Sequence, residues 1–187
     1  MTMTGTILML AAVAGISGFL VWLYNRLVRL RNLARSSWSD IDVLLKKRHD
    51  LVGNLVETVK GYASYEKDTL LGVTEARARA MRAEGPGKRG EEEGALGEKL
   101  SSLFAVVESY PDLKANESFL ELQKQLAEIE NGIEYARRYY NAVVRDYNTA
   151  TETFPSNLVA SGFGFGGAEF FQLDSPGERE RTDVRLS

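Results

Sequence analysis

The first 25 residues carry no charged side chain, and from Ile7 to Tyr24 they read ILMLAAVAGISGFLVWLY. No other feature narrows the chain's options as much. A run of about 18 apolar residues is long enough to cross bilayer hydrocarbon as a helix. Within lipid every amide and carbonyl must be paired internally, so a helix is the single-segment solution. Trp22 and Tyr24 stand at the C-terminal edge, where amphipathic rings favour the headgroup level. Arg26, Arg29, Arg31 and Arg35 follow at once. A cleaved secretory leader would need a basic n-region and a small-x-small cleavage site. Here the chain begins MTMTG and the run ends Trp-Leu-Tyr-Asn-Arg. The expectation is a retained single-pass transmembrane helix over residues 6–25, preceded by a short extracytoplasmic N-terminus, residues 1–5. Four arginines after the span and none before it place the following domain in the cytoplasm. The residues expected at the membrane interface are Trp22, Tyr24, Arg26, Arg29 and Arg31. Ala11/Gly15 and Ala14/Gly18 have the small-xxx-small spacing that supports helix association.

Behind the span, residues 26–155 read as one helical domain. Leu27, Leu30, Ala34, Trp38, Ile41, Leu45, Val52, Leu55, Val59 and Tyr62 recur at helical steps, and no proline interrupts Tyr24 to Glu84. The stripe predicts a rod continuous with the span. Gly53, Gly61 and Gly72 weaken it, each by up to about 1 kcal/mol relative to alanine, and any bend or break is expected near Gly53. Gly85 to Gly94, GPGKRGEEEG, reads as a solvated loop. A shorter helix is predicted from Leu96 to Ser109, ended by Pro111 because the residue before proline leaves the helical region. Phe119, Leu122, Leu126, Ile129, Ile133, Ala136, Tyr140, Val143, Tyr147, Ala150 and Phe154 then alternate three and four apart. That seam, about five heptads long, belongs to a left-handed bundle or coiled coil. The fold class expected is all-α: one N-terminal transmembrane helix, then an elongated antiparallel three- to four-helix bundle.

After Pro155 the composition shifts. Residues 156–187 form a Gly/Phe-rich and polar C-terminal tail, with Phe163, Phe165, Phe170 and Phe171 among glycines. Folded back, they cap the bundle end; exposed, they make an apolar patch of the kind that marks partner contact. Near Val184 to Leu186 the tail suits a strand if a partner is present.

Little here suggests catalysis. The net charge of −3 gives no nucleic-acid signature. The absence of cysteine excludes disulfides, thiolate zinc sites, cysteine nucleophiles and a lipoprotein attachment site. His49 is the only histidine, in KKRHD. Asp50 is turned about 100° from it on a helix and is poorly placed to orient it, so a polar contact at the helix surface or bundle end is expected. Residues 26–60 carry eight Lys/Arg and four Asp/Glu. Only the first arginines lie within the field of an anionic leaflet, and Lys46 to His49 are expected to be solvated. Asp40 and Asp42 fall on different faces. Glu128, Glu130 and Glu134 lack the Glu-x-x-His motif of di-iron bundles. Tyr140 and Tyr147 read as amphipathic core residues, and Asn141 and Asn148 as residues that fix register across helices.

Three stretches together resemble the LemA family of bacterial proteins. They are YNRLVRLRNLARSSWSDIDVLLKKRHDLVGNLVETVKGYASYEKDTL (Tyr24 to Leu70), YPDLKANESFLELQKQLAEIE (Tyr110 to Glu130) and ARRYYNAVVRDYNTATETFPSNLVA (Ala136 to Ala160). The resemblance implies a single-span membrane protein with a cytoplasmic helical bundle. The family includes a relative used in magnetosome formation, and its members often lie beside membrane-associated TPM-domain proteins or a membrane metalloprotease. Similar sequences usually hold proline where Gly53 stands, so a fixed kink is not enforced here. The functional expectation is a non-enzymatic interaction or scaffold protein of the cell membrane. No cofactor, metal or nucleic acid is expected and no small-molecule substrate is identified; its expected partners are the lipid bilayer and a membrane protein or a second copy of itself. The alternatives are an accessory or regulatory subunit of a membrane protease or envelope enzyme, and a membrane-remodelling factor.

Overall fold

The structure is a computed structural model that describes residues 3–63 and 65–173. It contains α1 (Met3–Lys60), α2 (Lys67–Arg82), α3 (Pro86–Val107), α4 (Pro111–Lys114), α5 (Glu117–Glu152) and α6 (Ser156–Gly162), with no strand among the described residues. The strand expected near Val184 to Leu186 lies outside them. The chain divides into two compact units, one of residues 3–37 and 140–168, the other of residues 38–139 and 169–173.

The second unit is a four-helix bundle whose directions follow from its contacts. Arg79 bonds Glu92 while Lys99 lies over Gly72, so α2 and α3 run antiparallel. Asp42 meets Arg89 and Arg48 meets Glu93, so α1 and α3 run parallel. Arg48 meets Glu130 while Leu44 lies against Gly132, which sets α5 antiparallel to α1. The core between them contains Val52, Leu55, Val59, Val73, Leu96, Leu103, Leu113 and Phe119.

Three expectations fail here, each for a local reason. The first helix does not stop or turn at Gly53 but continues to Lys60, and the break falls at Gly61. The amides of Tyr62 and Ala63 close onto the Val59 carbonyl at 3.0 and 2.8 Å. Two bonds from distant residues then hold this turn: Tyr110 Oη donates to Glu66 Oε1 and Asn116 Nδ2 donates to Tyr62 Oη, both at 2.9 Å. The carboxylate that accepts from Tyr110 favours the neutral phenol and holds its pKa above the ordinary value, with desolvation and the Glu66 charge adding to it.

The expected loop from Gly85 to Gly94 is mostly helix. Pro86 opens α3, where its missing amide hydrogen would have had no helical partner anyway. Gly85 turns the chain at φ +79°, a conformation that L side chains rarely adopt. The connection shrinks to residues 83–85, and GEEEG becomes a helical turn with Gly90, Glu93 and Gly94 buried. The seam of α5 is buried or half-buried at ten of its eleven predicted positions; Phe154, 79% exposed, is the exception. The helix ends at Glu152, so Phe154 leaves the helical phase.

In the first unit, α1 and α5 enclose Leu23, Leu27, Tyr147 and Ala150, and α6 adds Val159 and Ala160. The chain then passes Phe165 into the same cluster and is pinned at Ala168, whose N–H donates to Asn148 Oδ1 (2.8 Å) while its carbonyl accepts from Asn148 Nδ2 (2.9 Å). Asn148 thus holds an extended segment rather than setting helix register.

Back in the second unit, Phe171 is wholly buried with its ring edge-on to Trp38, and the backbone of Gln172 crosses α3 at Gly90. A Cβ on residue 90 would lie 2.0 Å from the Gln172 carbonyl oxygen, whereas one on Gly162 meets nothing within 4 Å. Gly90→Ala should therefore destabilise the chain by about 1–3 kcal/mol through overpacking. Gly162→Ala should stay within about 0.5 kcal/mol of the parent. Urea unfolding of the full chain in detergent, followed by circular dichroism, compares the two.

Candidate functional site

The strongest polar constellation lies inside the four-helix bundle. Arg48, His49 and Glu93 are each under 5% exposed. Glu93 Oε2 accepts from Arg48 Nη1 at 2.6 Å, and Oε1 lies 2.6 Å from His49 Nε2. Arg48 Nε reaches Glu130 Oε1 at 2.7 Å, and Arg77 Nε donates to the His49 carbonyl at 2.6 Å. One level of the bundle is thus tied together from α1, α2, α3 and α5. The solvated placement expected for Lys46 to His49 is wrong for Arg48 and His49. Arg48 lies between Glu93 and Glu130, and His49 faces Glu93 rather than its sequence neighbour Asp50.

The Arg77 contact bears on Gly53 as well. In a regular helix the amide of residue 53 is the partner of the residue 49 carbonyl. A proline there would remove that donor, and Arg77 already supplies a second one. The same guanidinium lies 3.4 Å from where a Cβ on Gly53 would be.

Chemically, the cluster is closed. Both oxygens of the buried Glu93 carboxylate are engaged, one by a guanidinium and one by an imidazole, so the arrangement suits interlocking of helices better than proton transfer to a substrate. An open groove of about 470 Å³ beside it is walled mainly by Leu100, Phe104, Leu126 and Ala127, with Arg48 and Glu130 at one end. Among the described residues no three potential ligands of the His, Asp and Glu type gather around a metal-sized space. Glu130 is engaged by Arg48 and Glu134 by Arg138.

The second candidate surface is the C-terminal end of the apolar run. Trp22 is exposed, stacks on Phe19 at 5.9 Å and has the Arg26 guanidinium 5.9 Å over its ring. Tyr24 meets Phe163 and Phe165 edge-on at 4.9 and 5.6 Å. Arg29 is exposed, while Arg31 turns inward with its guanidinium 4.7 Å over Phe165. Burial raises the pKa of the Tyr147 hydroxyl, against the opposing pull of Arg31 and Arg35. The four tail phenylalanines divide: Phe165 and Phe171 are core, Phe163 and Phe170 exposed. Sequence reasoning missed Glu93 because its run was read as loop. The signal for it was Pro86, a residue favoured at the first position of a helix.

The LemA family model matches residues 37–186. The chain is 26% identical over 200 residues to magnetosome protein MamQ 2 of Paramagnetospirillum magneticum, covering 91% of this chain and 74% of that protein. It is 25% identical over 181 residues to magnetosome protein MamQ of Magnetospirillum gryphiswaldense, covering 83% and 66%. Against Protein LemA of Metamycoplasma hominis it is 27% identical over 167 residues, covering 87% and 74%.

Removing one partner of the buried cluster strands the others. Glu93→Leu should cost about 3–5 kcal/mol, the scale of an uncompensated buried charge. The double variant Arg48→Met/Glu93→Leu should lose less than the sum of the two single variants, because each removes the other's penalty. A denaturation cycle measures the coupling; strict additivity would contradict the arrangement.

Proposed function

Because the chain belongs to the LemA family, we propose that it is a membrane-anchored, non-enzymatic interaction or scaffold protein. One observation carries the reading. Within α1 an 18-residue apolar window has mean hydropathy 2.2, and only 6% of it is buried by the rest of the chain. Exposed apolar surface of that extent is unfavourable in water and needs a cover. A bilayer supplies one of matching length. The arginines after the window, against none before it, orient the bundle toward the cytoplasm. The bundle's own strongest polar cluster is taken up by helix-to-helix contacts, which leaves its surfaces as the means of action.

The relatives named as magnetosome proteins favour one second reading, that of a membrane-remodelling factor. Crosslinking in native membranes followed by mass spectrometry tests the first, and liposome binding the second. Recovery of a specific membrane protein or of copies of the chain itself supports the scaffold reading, and binding of liposomes by the purified chain favours the second. A strictly solitary monomer would overturn the first, and failure to bind liposomes would count against the second. A reporter fused after Ser187 and active only in the cytoplasm should be active in cells; an inactive fusion, with the same protein present in the membrane, refutes the orientation.

A further inference from the structure

The junction of α5 and α6 exposes large apolar side chains where the chain has no charge. Thr153 to Ala168, TFPSNLVASGFGFGGA, contains no Asp, Glu, Lys or Arg, although Glu152 and Glu169 stand directly on either side. Phe154 is 79% exposed, Leu158 62% and Phe163 66%. These are not core residues that the first unit failed to cover. On the same short helix Val159 and Ala160 are buried against Leu23 and Leu27 of α1, and Leu158 points the other way.

The height of this elbow along α1 is fixed by its contacts. Tyr24 touches Phe163, and Leu23 shares a cluster with Val159 and Ala160. Leu23 and Tyr24 end the apolar run, and the exposed Trp22 lies beside them. The cationic side chains on this stretch, Arg26 and Arg29, are exposed one turn further on. Apolar side chains, aromatic rings and then arginines are the order met on passing from acyl chains to phosphates.

We propose that the elbow from Phe154 to Phe163 is a second membrane contact, with Phe154, Leu158 and Phe163 entering the boundary between acyl chains and headgroups in the leaflet that surrounds Trp22. The proposal rests on the reading of the apolar window as a bilayer span. It adds that the segment returning beside the end of the span, within the same unit, is itself seated in lipid. A lipid surface, rather than a protein, fits the elbow because it continues directly from the end of the apolar run and offers no charged group for a partner to read.

The chain has no cysteine, so single-cysteine variants can carry a nitroxide label in the full-length protein. Leu158→Cys and Phe163→Cys test the elbow, Val13→Cys tests the span, and Asp146→Cys on the exposed surface of α5 is the aqueous reference. In vesicles of phosphatidylcholine and phosphatidylglycerol, collisions with oxygen report lipid and collisions with a nickel chelate report water. The labels at 13, 158 and 163 should show raised oxygen and lowered nickel collision rates relative to 146, with 158 and 163 shallower than 13. Labels at 158 and 163 that match 146, while 13 is protected, overturn the elbow and leave the anchor standing. Labels at 158 and 163 shielded from both reagents would indicate a protein partner or a second copy, and overturn the lipid assignment. A label at 13 open to nickel overturns the span and the elbow together.

Discussion

A carboxylate with almost no contact with water, Glu93, is the constraint around which the four-helix unit is arranged. Desolvating it is costly, and the cost is offset only while Arg48 and His49 stay within hydrogen-bond reach. Such a pair adds little net stability compared with apolar residues of equal size. What it does supply is discrimination: a shift of α3 by one turn would leave a guanidinium and a carboxylate buried apart. The apolar core of Leu, Val and Ala residues tolerates several registers more readily than this cluster does. Arg77 and Glu130 extend the same restriction to α2 and α5.

Small residues make those approaches feasible. Gly97 lies 3.7 Å from Arg48 Nη2, measured from where its Cβ would be, and Gly90 admits a backbone crossing that any side chain would block. The segment that crosses there belongs to the stretch after the last helix. A hydrogen bond from the Gly87 amide to Glu169 Oε2 and burial of Phe171 beside Trp38 fix it to the bundle. In the other unit the paired bonds of Asn148 with Ala168 act similarly on the residues before it. The glycine-rich segment, which in sequence could either fold back or stand exposed, is in part a structural element, because Phe165, Phe171 and its backbone groups find partners far away in the chain.

The end of the apolar run shows how one surface can combine opposite demands. Leu23 and Leu27 face α6 while Phe19, Leu20, Val21 and Trp22 remain uncovered. Arg31 is half-buried over the Phe165 ring, whereas Arg26, over the exposed Trp22, and Arg29 stay exposed. For Val21, Trp22, Arg26 and Arg29 the division follows the helical period, whereas Leu20 shares the stripe of Leu27 and is uncovered because it lies before Leu23, the first packed residue of α1.

Sequence periodicity by itself determined the helical class, the apolar run and the seams. The 3.6-residue repeat is local, and it survives whatever the neighbouring helices do. The α1 stripe is accordingly buried or half-buried from Leu27 to Val59, with its last member Tyr62 exposed beyond the helix end, and so are ten positions of the α5 seam. Helix ends were less legible: Gly53, Gly61 and Gly72 look alike in sequence, and only the bonds from Tyr110 and Asn116 select the turn after Lys60. The charged cluster was barely legible: Pro86 signals the helix that holds Glu93 but not the partners that helix meets. Glu93 is separated by 45 residues from Arg48, and nothing local distinguishes it from Glu91 and Glu92, which are not buried. Tertiary packing alone decided which carboxylate turned inward, because desolvation is determined by what surrounds a side chain in space and not by its neighbours along the chain.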